Sequence, residues 1–228
     1  MATRRGPTPP PRPYHHGDLR RALLDAALEL SQGGGAGALS FREIARKVGV
    51  SQTAPYRHFR DLEELLAAAA EEGLVALRIE LGRAFDEDAR EPPLTRLERL
   101  TTAYVRFSLR HRGYFHIMFG PDSPRRSATP TLQAAARDTF QLFLSKVHAA
   151  WPAPSPNGID ARAGTLHLWV IAHGVATLAL EGRAEFLGLD SNTAEALSAS
   201  VVRTHLAGIA SPRQAPKASA MRRGKPHH

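Results

Sequence analysis

The sequence predicts an all-α protein of about nine helices, with an N-terminal three-helix helix-turn-helix domain and a larger C-terminal helical domain. Three observations carry that prediction. Apolar residues recur at helical spacing along most of the chain, and no run alternates apolar and polar residues long enough to make a strand. The stretch from Ser40 to Phe59, SFREIARKVGVSQTAPYRHF, reads as two short helices joined by a tight turn. Charge is also unevenly divided. Residues 1–60 carry +6, residues 61–210 carry −3 and residues 211–228 carry +5. A basic front beside a mildly acidic body is the footprint of a nucleic-acid binder with a second domain.

Taken in order, residues 1–13 (MATRRGPTPPPRP) form a disordered, basic, Pro-rich arm. Asp18 then caps a helix with Leu19, Leu23, Ala26, Ala27 and Leu30 on its buried face. The glycine run after Gly33 is a flexible connection. No strand precedes it and no G-K-[ST] follows, so it is not a phosphate loop.

Ser40 and Glu43 make an S-x-x-E capping box, and Phe41, Ile44, Ala45 and Val48 share one helical face. Gly49 can turn the chain through positive φ. Ser51 is placed to cap a second helix carrying Gln52, Thr53, Tyr56, Arg57 and His58, the element that would enter a DNA major groove. Pro55 lies inside that helix and is expected to leave the Ser51 carbonyl without its intrahelical partner.

Asp61 caps a long helix running to about Phe85, with Leu62, Leu65, Leu66, Ala69, Ala70, Leu74 and Leu77 at helical spacing. Pro93 opens the next helix. The aromatic segment from Tyr114 to Phe119 follows, and Thr129-Pro130 opens a helix that stops near Trp151. The last two long helices are expected over about 159–181 and 193–210, the second capped by Asn192 with Glu195. The tail from residue 211 to 228 is basic and disordered. Domain boundaries follow: 14–62 for the helix-turn-helix, 63–210 for the second domain.

Several function classes fall away. There is no cysteine, so disulfides and thiolate metal sites are excluded. The basic N-terminus lacks an apolar core and is no signal peptide. The longest uncharged apolar stretches, near residues 168–172, are too short for a bilayer, so a cytoplasmic protein without membrane association is expected. No HExxH, G-x-S-x-G or Walker loop is present, and no enzyme activity or cofactor is expected. His111, His116, His148, His167, His173 and His205 show no ligand spacing, and no metal site is assigned.

At Ile44-Ala45, Val48-Gly49-Val50-Ser51, Tyr56, His58-Phe59 and the acidic, leucine-rich start Asp61-Leu62-Glu63-Glu64-Leu65-Leu66, the chain resembles the TetR family of bacterial transcription regulators. The match spans roughly residues 15–70. The resemblance implies double-stranded DNA as partner, read as a pseudo-palindromic operator. The implied DNA-binding residues are Arg20, Ser40, Ser51, Gln52, Thr53, Tyr56, Arg57 and His58. Tyr56 and His58 match phosphate-contacting positions, whereas Gln52, Thr53 and Arg57 can reach base edges. Arg57 is equally open to a phosphate role. Many members have a lysine where this chain has Leu62, so one phosphate-binding side chain of the family is absent here.

The resemblance further implies a helical second domain that dimerises through its last two long helices and encloses a small-molecule effector. Trp169, His173 and Gly174 make a W-x3-H-G pattern similar to one C-terminal domain type of that family. With Tyr104, Phe107, Tyr114, Phe115, Met118 and Phe119 they are the candidate effector pocket; plain core packing is the competing reading for each. The function implied is a homodimeric, ligand-released repressor. The alternative is a helical small-molecule-binding or catalytic protein with a degenerate DNA head.

Overall fold

The described residues of the computed structural model form eight α-helices and a 3-10 turn, with no strand among them. Those residues are 19–33, 39–121, 123–124, 129–152, 158–182, 186, 188–190 and 192–211. The expected basic arm, His15, His16, the Asp18 cap, most of the glycine run, the 125–128 loop, Pro154, Pro156 and the tail beyond residue 211 lie outside them.

Helix α1 (Leu19–Ser31) buries Leu23, Leu24, Ala26 and Ala27. Helix α2 (Phe41–Val48) starts under Ser40, whose Oγ accepts from the Glu43 N–H at 3.1 Å. The box is half made, because the Glu43 carboxylate pairs with Arg46 at 2.6 Å. Gly49, at φ 80°, ends the helix in the left-handed region.

The segment expected to be a second α-helix is a 3-10 turn, Ala54–Arg57. Pro55 is the cause, since it has no N–H to complete an α-type bond. The Ser51 carbonyl is nonetheless satisfied, one residue early, by the Ala54 N–H at 3.0 Å. That is 3-10 spacing. Ser51 therefore does not cap a helix; its Oγ lies 3.2 Å from the Thr53 hydroxyl.

Asp61 caps α3 (Leu62–Asp86), and the Glu64 side chain reaches back to the residue before that cap. The Glu64 N–H donates to Asp61 at 2.8 Å, and the Arg60 N–H donates to Glu64 at 2.7 Å. These backbone and Arg60 contacts hold the Asp61 carboxyl below its ordinary pKa. Then come α4 (Pro93–Arg110), α5 (Arg112–Phe119), α6 (Pro130–Ala150), α7 (Ala161–Leu180) and α8 (Ala194–Ala210). The α8 cap differs from expectation. Asp190 accepts from the Asn192 and Thr193 N–H groups at 2.8 and 2.9 Å, and Thr193 Oγ1 accepts from the Asp190 N–H at 3.0 Å. Glu195 is drawn away by Arg106 at 2.9 Å.

Two compact units result, Met1–Leu74 with His111–Ala135, and Val75–Arg110 with Ala136–His228. In the first, α5 packs on α1. Gly113 lies against the Leu28 backbone, where an added Cβ would come under 3.0 Å from the Leu28 carbonyl group. The His116 Nδ1–H donates to the Ser31 carbonyl at 2.7 Å. Arg21 bridges Asp25 and Glu72, and the Tyr114 hydroxyl donates to Glu72 at 3.2 Å. The second unit packs α4 against α7 and α8, which also pack on each other.

Helix α7 corrects one expectation. Taken whole, its 20 residues are long and apolar enough to cross a membrane by length and composition. The uninterrupted apolar run near residues 168–172 is only the core of that longer segment. Leu168, Ala172, Val175 and Ala176 are buried within the unit, whereas Leu166 and Val170 on the same helix are 51% and 66% exposed. The helix is therefore apolar on its packed side and on part of its open side as well.

Candidate DNA-binding face and aromatic cluster

The 3-10 turn presents a polar face because its apolar residues point the other way. Pro55 and Phe59 are buried with Phe41, Ile44 and Ala45 of α2. Ser51, Gln52, Thr53, Tyr56, Arg57 and His58 are all exposed. Tyr56 is 62% exposed yet anchored by its ring edge, with Phe41 5.0 Å away centroid to centroid. The aromatic body is thus fixed while the hydroxyl remains available. The Arg20 guanidinium lies 5.1 Å from the centre of the Phe59 ring, a cation–π contact that sets the start of α1 beside the turn.

Six of the eight DNA candidates thus share one short exposed segment. Arg20 adjoins it through Phe59, and half-buried Ser40 is used as the α2 cap. Among the described residues no carboxylate pairs with Arg57, which leaves its five donors for a phosphate or a guanine edge. Arg60 is different: it pairs with Asp61 at 3.0 Å.

The effector candidates fall into two groups. Tyr104, Trp169 and His173 come together in the second unit. The Tyr104 hydroxyl lies 2.9 Å from His173 Nδ1, and the Tyr104 and Trp169 rings meet edge-on at 5.2 Å. Burial raises the Tyr104 pKa and lowers that of His173, so both groups are neutral near pH 7 and suited to a neutral hydrogen bond. Phe107 is buried core in the same unit.

Tyr114, Phe115, Met118 and Phe119 belong instead to the first unit, where Phe115 and Met118 are buried and Tyr114 packs on Gly73. Sequence reasoning grouped these residues because all are aromatic or soft and lie on neighbouring helices. It missed Phe143, which meets Trp169 at 5.3 Å beside Phe140 at 5.8 Å. The i, i+3 spacing of the two phenylalanines on one helix was the available signal. Tyr104→Phe removes the hydroxyl alone and is expected to cost about 1 kcal/mol. Urea denaturation checks this, and a shift several times larger would mean that the hydroxyl holds more than His173.

The sequence model described as "Bacterial regulatory proteins, tetR family" matches residues 23–69, and "Tetracyclin repressor-like, C-terminal domain" matches residues 97–215. A Rhodococcus sp. RHA1 protein of unknown function is 34% identical, with 88% of this chain and 100% of that chain covered at a TM-score of 0.69. A regulatory protein of the tetR family from Rhodococcus RHA1 is 24% identical over 83% of this chain and 96% of its own, with a TM-score of 0.63. The transcriptional regulator FadR from Bacillus subtilis, solved in complex with stearoyl-CoA, shares the fold at 16% identity, 83% and 98% coverage and a TM-score of 0.59. With an exposed helix-turn-helix face followed along the chain by a matching helical domain, the protein belongs to the tetR family and is a ligand-responsive, DNA-binding transcription regulator.

Proposed function

We propose that the protein is a homodimeric repressor in the cytoplasm, which holds a pseudo-palindromic operator until a small molecule releases it. The observation that carries the reading is the exposed row from Gln52 to His58 on a buried apolar underside. Gln52, Thr53 and Arg57 supply base-edge donors and acceptors, while Arg20, Tyr56 and His58 hold phosphates. Two copies related by a two-fold axis would place these turns in successive major grooves. The effector is read as a ligand of the Tyr104–Trp169–His173 cluster. It can release DNA only by binding the DNA-free state more tightly than the bound one. The protein acts in this reading by binding, without catalysing a reaction.

Sequencing the DNA that co-purifies with the protein, then mobility shifts against random DNA at matched salt, tests the operator reading. Equal affinity for both would point to a non-specific binder.

The dimer is read onto the open side of α7 and α8, where Leu166, Val170, Leu178, Leu197 and Val201 are exposed. Burying such a face on its copy removes apolar surface from water. Val170→Glu places a charge in that contact and is expected to shift the protein to monomer in sedimentation velocity, with its helical circular dichroism retained. A variant that remains fully dimeric would move the interface elsewhere.

A further inference from the structure

The sequence leaves the histidines scattered, and the fold brings two of them together. His167 Nδ1 on α7 and His205 Nε2 on α8 are 3.3 Å apart, with the rings edge-on. Both border an open groove of about 360 Å³ formed with Leu166, Val170 and Ile171. The pair shares one hydrogen bond at this distance. The separation also equals one edge of a zinc coordination tetrahedron, because Zn–N bonds of about 2.0–2.1 Å set neighbouring nitrogens about 3.3–3.4 Å apart.

Among the described residues no third His, Cys, Asp or Glu joins the pair, so one copy offers half a shell. Two other coordinating side chains of these helices are engaged: His173 meets Tyr104, and Glu195 meets Arg106. A second copy docking through its own α7 and α8 therefore brings its His167 and His205 as the matching ligands. We propose that these two histidines form half of a divalent-metal site of the zinc class, completed by the same pair from the second copy. This rests on the dimer reading given above. Imidazole donors suit zinc, nickel and copper rather than magnesium or calcium.

The test titrates chelator-treated, full-length protein with Zn²⁺ during sedimentation velocity, and with Co²⁺ as a spectroscopic probe. One ion per two chains is expected, with self-association tightened at least about tenfold and the visible absorption of tetrahedral cobalt. His167→Ala and His205→Asn should each lose all three effects and still dimerise in chelator. The chain has 11 histidines, with adjacent pairs at His15-His16 and His227-His228, so metal uptake that persists in both variants overturns the proposal. One ion per chain, or a dimer indifferent to zinc, overturns it too while leaving the dimer reading intact. Protein that is monomeric with and without zinc overturns both.

Discussion

Replacing Gly113 by alanine is expected to lower stability by about 1–3 kcal/mol or more, the range for forcing an extra group into a packed contact. The added methyl would meet the Leu28 carbonyl group, which is backbone and cannot swing aside as a side chain does. Either α5 lifts from α1 or α1 bends. The contact lies in the compact unit that carries the helix-turn-helix, so DNA affinity should fall together with the unfolding midpoint. Gly82→Ala is the matched control. A Cβ there meets only Leu142 Cδ2 at 3.8 Å, an ordinary contact, and the position is inside α3, so a gain of about 0.5–1 kcal/mol is expected. Urea melts of the two variants decide the matter; equal midpoints would mean that the α1–α5 contact is loose.

Arg57→Ala is expected to weaken operator binding by about 1–3 kcal/mol, or roughly five- to 150-fold, while helix content and self-association stay as they are. The side chain is exposed, and no carboxylate among the described residues pairs with it, so removing it should leave the fold alone. The form of the loss assigns its role. A guanine contact predicts a loss confined to the operator and relaxed preference at one base pair. A phosphate clamp predicts an equal loss on every duplex and a salt slope smaller by about one. Tyr56→Phe removes the hydroxyl proposed to meet a phosphate while keeping the ring that packs on Phe41, and should cost less. Affinity unchanged in both variants would favour a degenerate head over a working one.

Much of the architecture was legible in the chain because it is local. Caps at Ser40 and Asp61, the left-handed Gly49 and the proline starts at Pro93 and Pro130 are each set by residues a few positions apart. The grouping of the exposed polar residues Ser51, Gln52, Thr53, Tyr56, Arg57 and His58 was legible for the same reason, since they are near neighbours in the chain. Errors came where two local rules competed. Ser51 looked like a helix cap, but Pro55 imposed 3-10 geometry, and the Ser51 carbonyl then found the Ala54 N–H. At α8, Asn192 and Glu195 fit the cap pattern, yet Asp190 reached the N–H groups at the helix start and Arg106 claimed Glu195.

The sequence alone determined an all-helical chain, its breaks and the polar row from Ser51 to His58, because turn chemistry and helical period act over a few residues. Only the tertiary structure decided that α5 joins α1 in the unit of the helix-turn-helix, that Tyr104 meets His173 across 69 positions, and that His167 meets His205 across 38. Such pairings depend on which helix faces cover one another. Apolar periodicity marks a face for burial but leaves its partner open, and packing between distant helices settles that choice.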